Sequence, residues 1–383
     1  MQVQIQASAH SVYRAFTMPT LLQLWLCQQA QATFRADEMF FYRWNEGFYA
    51  AGTFKTLQRD SHIVQTWRFS TEAAESLLEV TLREADSLTT VDLAYSGSDA
   101  TLDWAAALEN LKYLLEVGFD HRLMQRPMLG IYPSELDEAR AAKLGLNGMK
   151  GTHIDGVVDG MGAATVLQTG DVVVKLAGQP VFDFASMQVG LRPFKGGDVV
   201  QIEFYRAGEL HSADLPLTKR PVPDLPATPA ALAEIMRSNL QAVSGELDTL
   251  LAGVPEETLS RRPEATEWSA NENLAHLIWT ARNNQAWLFN MAGGDDSVLW
   301  MDNNDLHLIM STAIYPTSAD LVAEYKRAEA AIIAEVEALP AWLVTTKPLL
   351  LYVGQNLTNL NFHTRLHFEQ MKHAIGAVQQ PTA

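Results

Sequence analysis

The chain has 383 residues, a formal net charge of −17, 48% hydrophobic residues and 19% charged residues. This length exceeds what one ordinary core supports, so we expect two or three domains of globular rather than disordered composition. The negative charge repels phosphate backbones and no long basic run interrupts it, which excludes nucleic acid as an expected partner.

Cys27 is the single cysteine, so an intrachain disulfide and a CxxC metal site are both excluded. The N-terminus MQVQIQASAH alternates apolar and polar residues and lacks the basic start and apolar core of a signal peptide. No apolar run reaches the ~18 residues that a membrane span requires. We therefore expect a cytoplasmic protein with no membrane span. Neither a P-loop nor GxGxxG occurs, so ATP or NAD is not expected.

Residues 1–125 open with the strand VQIQ and a helical stretch around HSVYRAFTMPTLLQLWL. Five segments with a period of two follow and indicate antiparallel strands with one buried face: MFFYRW, FYAAGTFKTL, HIVQTWRF, SLLEVTLREA and LTTVDLAYS. The closing TLDWAAALENLKYLLEVGF has apolar residues at helical spacing. These elements predict an α+β domain in which a long helix packs into a curved sheet.

The run AFTMPTLLQLWL, the aromatic strands and DWAAALENLKYLLE together resemble the START-like helix-grip fold, and within it the family related to the activator of Hsp90 ATPase. The resemblance covers the whole segment and implies a hydrophobic ligand pocket or a protein-binding face, without fixed catalytic residues. The alternative is that the aromatic side chains simply fill the core. The residues concerned are Phe34, Phe41, Trp44, Phe54, Trp67 and Phe69.

Residues 126–218 consist of short strands punctuated by glycines, as in GLNGMKGTHIDGVVDG, TGDVVVKLAGQPV and FKGGDVVQIEFYRAGE. Together with MLGI at residues 128–131, this order resembles a PDZ domain of the type found in bacterial HtrA proteases. No GxSxG motif and no serine, histidine and aspartate set spaced like a triad accompanies it, so no serine protease is expected.

The PDZ resemblance implies that backbone amides of Leu129, Gly130 and Ile131 bind the carboxylate of a peptide C-terminus, while the strand edge pairs with the peptide. The helix DFASMQVGL would line the groove, with Met187 and Leu191 as its walls. The alternative is a domain that keeps the fold while its groove is covered or binds nothing.

Residues 219–227 form a proline-rich linker, and residues 228–383 are predicted as four long helices. Thr228 before Pro229 indicates one helix start, and Ser269 with Glu272 forms a capping-box pattern at another. Four long helices joined by one long connection, about residues 293–316, predict a four-helix bundle.

Three of the ten histidines lie in FHTRLHFEQMKHAI, residues 362–375. His363 and His367 are four residues apart and therefore share one helical face, whereas His373 is expected to point away from them. His276 is the one histidine on the apolar face of the second helix. Two histidines are too few for a metal site, so the third ligand would come from this helix.

The last domain resembles the DinB-like bundle superfamily through WSANENLAHL, which contains His276, and through His363, His367 and Gln370 in HxxxHxxQ. That resemblance implies a divalent metal held by the three histidines, and the thiol-dependent isomerases and S-transferases of the superfamily. Zinc or nickel suits an all-nitrogen site with an open coordination position.

Two hypotheses for the whole chain follow. The first is a metal-dependent transferase or hydrolase, although no general base is evident beyond Glu369, which adjoins the metal face. The second is a non-catalytic adaptor that binds peptide C-termini in the PDZ groove and a hydrophobic small molecule or a chaperone through the START-like domain. Substrate, catalytic residues and oligomeric state are not predicted.

Overall fold

The computed structural model describes residues 1–97, 101–294 and 305–379. The chain forms two compact units, one of Met1–Phe119 with Asp224–Ala383 and one of Asp120–Pro223. The predicted mixture of a helix-and-sheet domain, a small β-rich domain and a helical bundle is confirmed. The predicted domain limits themselves stay predictions. None of the described helices is both long enough and apolar enough to cross a membrane.

The N-terminal part of the first unit is an antiparallel sheet covered by helices. Its elements are β1 (Gln2–Ile5), α1 (Ala9–Phe16), α2 (Pro19–Trp25), β2 (Gln29–Ala32), β3 (Met39–Arg43), β4 (Tyr49–Gln58), β5 (His62–Phe69), β6 (Ser76–Ala85), β7 (Leu88–Tyr95) and α3 (Trp104–Val117). The strand order is β1-β7-β6-β5-β4-β3-β2. Pro19 divides the predicted helical stretch in two because proline is favoured in a first helical turn and disfavoured later.

Aromatic side chains fill the interior of this domain. Trp44, Phe54, Trp67 and Phe69 are at most 3% exposed. The ring of Trp67 lies 5.2 Å from that of Trp104 on α3, centroid to centroid, so the sheet and the helix meet through these rings. The four buried residues belong to the core, as the packing alternative predicts. Phe34 packs against the same core with partial burial, and Phe41 is 36% exposed.

The second unit is a six-stranded sheet with short helices. Its elements are α4 (His121–Gln125), β8 (Ile131–Glu135), α5 (Glu138–Lys143), β9 (Thr152–Val157), a 3-10 helix (Gly162–Thr165), β10 (Val172–Leu176), β11 (Gln179–Pro180), α6 (Phe184–Leu191), β12 (Val199–Arg206) and β13 (Glu209–Pro216). The order is β13-β12-β10-β9-β8, and β11 pairs with β10. Strand β8 therefore lies at the sheet edge, and α6 packs beside it.

The bundle occupies the rest of the first unit. Its elements are α7 (Pro229–Leu251), α8 (Glu256–Ser260), α9 (Ala270–Gly293), α10 (Asp305–Ile314), α11 (Ser318–Glu337), α12 (Ala341–Thr345) and α13 (Lys347–Gln379). Both predicted caps are present, with Thr228 bonded to the Ala231 amide and Ser269 to the Glu272 amide. Gly354 lies inside α13, where it faces Leu232 of α7.

The N-terminal domain and the bundle share one hydrophobic core, which the sequence did not predict. Ser11 of α1 lies 3.3 Å from Thr346 Oγ1, next to the start of α13. The guanidinium of Arg14 lies over the Trp342 ring at 4.8 Å, and Lys347 Nζ donates a hydrogen bond to the Glu116 carbonyl. The base of α13 is therefore anchored against α1 and α3, while its other half carries the histidines.

Candidate metal centre

The position of His276 follows from the way α9 begins. The hydroxyl of Ser269 accepts from the Glu272 amide at 3.1 Å, and the Glu272 carboxylate accepts from the Ser269 amide at 2.8 Å. Arg262 donates further hydrogen bonds to Glu272 at 2.7–2.9 Å. These bonds satisfy the free amides of the first turn and fix the helix start. His276 lies in the second turn, on the face that packs towards α13.

The three predicted histidines converge through their Nε2 atoms. His363 Nε2 lies 3.3 Å from His276 Nε2 and 3.1 Å from His367 Nε2. One ligand nitrogen from each of the three lies within 4.8 Å of the others. His276 and His367 are buried, and His363 is half-buried. The structure therefore brings together the two residues of α13 and the residue of α9 that the sequence singles out.

Asn273 fixes the tautomer of His367. Its side-chain nitrogen donates to the Ser269 carbonyl at 2.9 Å, so its Oδ1 atom, 2.8 Å from His367 Nδ1, is left to accept. His367 therefore carries its proton on Nδ1 and presents an unprotonated Nε2 to the cluster. Sequence reasoning missed this role of Asn273, because the residue reads only as one polar position directly after the capping-box residue Glu272.

The surroundings of His363 and His367 favour neutral imidazoles. Burial lowers the pKa of His363. Burial, followed by the neighbouring His363, lowers the pKa of His367 to about 4. Both effects arise because an imidazolium is poorly solvated there and is repelled by a second one. Metal ions bind the neutral form of histidine, and the lowered pKa of His363 and His367 favours that form.

Tryptophans and a fourth histidine surround the cluster. The Trp268 ring is stacked parallel to His367 with 6.1 Å between centroids, and Trp279 stacks on His276 at 5.7 Å. The His307 ring of α10 lies 4.8 Å from that of Trp279 and 5.8 Å from that of His276, so the three rings form one cluster. The sequence predicts that His307 lies in a long connection. Its proximity to His276 and Trp279 therefore depends on helix α10, which was not predicted.

The cluster opens into a cavity of about 720 Å³. Besides the three histidines, its walls include Glu267, Trp268, Glu369, Gln370 and His373. His373 is exposed, as expected, yet it lines the outer wall of this cavity and lies 3.6 Å from a Glu267 carboxylate oxygen. Glu369 also lines the cavity, and its carboxylate accepts a hydrogen bond from Lys372.

In the second unit, Leu129 and Gly130 precede the edge strand β8, which Ile131 begins. Their carbonyls accept from Ala163 and Val158, and no hydrogen bond donated by either amide occurs within residues 120–223. Gly130 has φ of +76°, and a Cβ there would lie 2.4 Å from Met161 Cβ, so a side chain at this position would clash.

The two predicted groove walls on α6 are both deeply buried. Met187 is 0% exposed and Leu191 is 9% exposed, and both belong to the hydrophobic core of the unit. More exposed apolar side chains of the same segment are Phe184 and Val189. Met187 and Leu191 therefore support the helix from within the domain.

One cluster in the second unit was not predicted. Ser134 of β8 is paired with His153 of β9, and their side chains approach Asp155. Ser134 Oγ and Asp155 Oδ1 both contact the Nδ1 atom of His153, at 3.1 and 2.9 Å. A serine–histidine–aspartate triad requires the two partners on opposite ring nitrogens, so this arrangement is not one.

Comparison with known protein families assigns the two ends of the chain. Residues 6–116 match the sequence model of the family described as Activator of Hsp90 ATPase homolog 1-like protein. Residues 239–371 match that of the DinB superfamily. The second match contains all three histidines of the cluster.

A curated relative is the Periplasmic serine endoprotease DegP of Salmonella typhimurium, which is 26% identical over 137 residues. The matched region covers 35% of this chain and 28% of that protein, so the chain spans less than a third of its length.

Among solved structures, the Aha1 dimer from Colwellia psychrerythraea is 21% identical, with a TM-score of 0.27, over 31% of this chain and 95% of that one. The HtrA-type protease AlgW with decapeptide is 19% identical, with a TM-score of 0.26, over 46% of this chain and 57% of that one. TM-scores of this size support no conclusion about function. The two family-model matches agree with the resemblances predicted for the first and the last domain. The chain therefore contains an N-terminal segment similar to the activator-of-Hsp90-ATPase-homologue family and a helical segment similar to the DinB superfamily.

Proposed function

We propose that the bundle holds a divalent metal, zinc or nickel, on Nε2 of His276, His363 and His367. The observation that carries the proposal is the convergence of these atoms at separations of 3.1 and 3.3 Å. His363 Nε2 contacts both His276 Nε2 and His367 Nε2, and His367 Nε2 carries no proton. A proton on His363 Nε2 can therefore form a hydrogen bond in only one of these two contacts. The other contact then brings nitrogen atoms together without a shared proton, which a cation relieves.

The distances also fit a metal. Zinc–nitrogen bonds of about 2.0–2.1 Å in a tetrahedral site place ligand nitrogens roughly 3.3 Å apart. Three imidazoles leave a coordination position for water or a thiol, and the cavity gives a ligand access to it. The hydrogen bond from His367 to Asn273 resembles the outer contacts that orient metal-bound histidines.

We infer that the chemistry is metal-dependent transfer to or from a thiol, or hydrolysis. Bound there, the metal would lower the pKa of a thiol or a water molecule and so supply a nucleophile at neutral pH. Asn273 would hold His367 in the ligand tautomer, and Trp268 would shield one side of the cluster from solvent. With the three histidines used as ligands, His373, Glu267 and Glu369 are the titratable cavity groups that could accept a proton.

Elemental analysis of the untagged full chain tests the metal site directly. We expect about one zinc or nickel ion per chain, as in three-histidine sites. The His363→Ala/His367→Ala double variant should lose it. His373→Ala is the matched control, because it removes a histidine from the same helix and cavity without removing a proposed ligand. No metal in the wild type after reconstitution, or equal loss in the control, would contradict the proposal.

A second candidate function is peptide binding by the middle domain. Support comes from the edge position of β8 and from the amides of Leu129 and Gly130, which donate no hydrogen bond within residues 120–223. In this alternative the chain is an adaptor, and the N-terminal domain contacts a chaperone or a hydrophobic molecule.

Fluorescence anisotropy of the full chain would test the adaptor with a labelled decapeptide that ends in valine. The free carboxylate form should bind more tightly than the C-terminal amide. A Gly130→Ala variant should lose the difference, since the added Cβ strains the loop that carries both amides. Equal binding of both peptide forms by the wild type would contradict a carboxylate-binding groove.

A further inference from the structure

We propose that the ligand of the metal cavity carries a cationic group, such as a primary ammonium, at its end distant from the histidines. This inference rests on the proposed metal site and adds the charge and length of the ligand. The observation behind it is the distribution of charge on the cavity walls. Two carboxylates, Glu267 and Glu369, line the cavity, and no lysine or arginine is among its lining residues.

Both carboxylates are available to a ligand. Glu267 faces His373 at 3.6 Å, and the two side chains are 44% and 68% exposed. Glu369 is bonded to Lys372, whose side chain is also exposed. Exposed ion pairs of this kind contribute little free energy. A ligand cation can therefore displace Lys372 from Glu369, or His373 from Glu267. A ligand carboxylate or phosphate in the same place would instead meet two negative charges.

The length of the ligand follows from the helix. The cavity lining includes His367 of the histidine cluster and, further along α13, His373, which is paired with Glu267. Six residues of α13 separate the two histidines, which corresponds to roughly 9 Å along the helix axis. A molecule that binds the metal through sulfur therefore needs about this distance between its sulfur and its positive charge.

Trp268 adds an independent preference for a cation. Its ring lines the same cavity and is half-buried next to Glu267 in the chain. The face of an indole attracts an ammonium group, most strongly where water is partly excluded. The net charge of −17 further raises the local concentration of cations around the whole protein.

Three thiols of matched length separate charge from size: 6-amino-1-hexanethiol, 6-mercapto-1-hexanol and 6-mercaptohexanoate. Each would be titrated into the cobalt(II)-substituted full chain, with the sulfur-to-cobalt charge-transfer absorption as readout. We expect the amine to bind tightest and the acid weakest. Glu267→Gln and Glu369→Gln should each reduce the advantage of the amine over the alcohol by roughly 2- to 5-fold. High salt should reduce it as well.

Glu257→Gln is the matched control, because it neutralises an exposed glutamate of α8 that does not line the cavity. It should leave the order of the three thiols unchanged. If cobalt binds and the three thiols bind equally, or the acid binds best, the inference is overturned while the metal site stands. If the wild-type chain takes up no cobalt, the result contradicts the proposed function and, with it, this inference.

Discussion

The interior of the N-terminal domain and the histidine side of the bundle both consist of flat rings on neighbouring elements, yet they differ in what the rings present. In the N-terminal domain, Trp67 and its neighbours meet through apolar surfaces and leave the sheet tightly filled. In the bundle, His276 and His363 meet through their nitrogens beside an open cavity. The difference agrees with an interior that stabilises the fold in the first case and with the proposed metal site in the second.

The largest effect should come from removing a buried aromatic ring from the core of the N-terminal domain. Trp67→Ala should lower the free energy of unfolding by about 3–5 kcal/mol, because a completely buried indole is replaced by a cavity. Phe41→Ala, at a partly exposed position on the same sheet, is the control and should cost much less. Chemical denaturation measures both variants. Similar losses would show that the aromatic interior is not the main support of the domain.

A half-buried carboxylate in the bundle should give a pH-dependent effect of up to about 3 kcal/mol, at about 1.4 kcal/mol per pKa unit. Glu329 lies in a small pocket between α7, α11 and α13, and burial raises its pKa to about 7. Its neutral form is favoured in the folded chain. Its contribution to stability is therefore complete below the unfolded pKa of 4.5 and is lost as the pH rises through about 7.

The comparison of wild type with Glu329→Gln isolates this contribution. Relative to the variant, the wild type should lose stability between pH 5 and pH 8 in denaturation experiments on the apo protein. The exposed Glu257→Gln variant should follow the wild type at both pH values. A Glu329→Gln chain whose stability changes with pH as the wild type's does would contradict the assignment of the titration to Glu329.

Substitution of Asn273 should have an effect of intermediate size. The property it should change is the affinity of the histidine cluster for the metal. Asn273→Leu removes the acceptor of His367 Nδ1, and loss of such a contact typically weakens metal binding by about 10- to 100-fold. Asn273→Asp keeps an acceptor and should retain affinity near that of the wild type. Competition with a chromophoric chelator measures each constant. Equal affinity in Asn273→Leu would mean that His367 is oriented by other contacts.

The smallest effect should come from the rim of the cavity. His373→Ala removes the partner of Glu267 in an exposed pair and should change the free energy of unfolding by less than about 1 kcal/mol. A thermal melt of the apo protein measures it. A larger loss would show that His373 supports the fold rather than the cavity wall.

The parts of the site that local spacing determines were predictable from the sequence. His363 and His367 share a helical face at any position in the fold, and His276 stands on the apolar side of a helix whose start Ser269 and Glu272 mark. The remainder depends on tertiary packing. Nothing local indicates that Asn273 accepts from His367, that Glu267 approaches His373, or that α10 brings His307 to Trp279.

The same reasoning explains the differences in the fold. Strand β2 is only four residues long and alternates glutamine with alanine, so its period of two is too short and too weakly apolar to identify it. The burial of Met187 depends on what α6 packs against, which its own sequence does not specify. The shared core of the N-terminal domain and the bundle likewise joins residues far apart in the chain, such as Ser11 and Thr346.

The central claim is that His276, His363 and His367 bind a metal together, and X-ray absorption spectroscopy of the metal-loaded chain tests it most directly. We predict a zinc or nickel edge with three imidazole nitrogens at about 2.0–2.1 Å and one further light atom. Addition of a thiol should replace that atom by sulfur at about 2.3 Å. A spectrum without imidazole scattering, or one unchanged in the His363→Ala/His367→Ala variant, would contradict the claim.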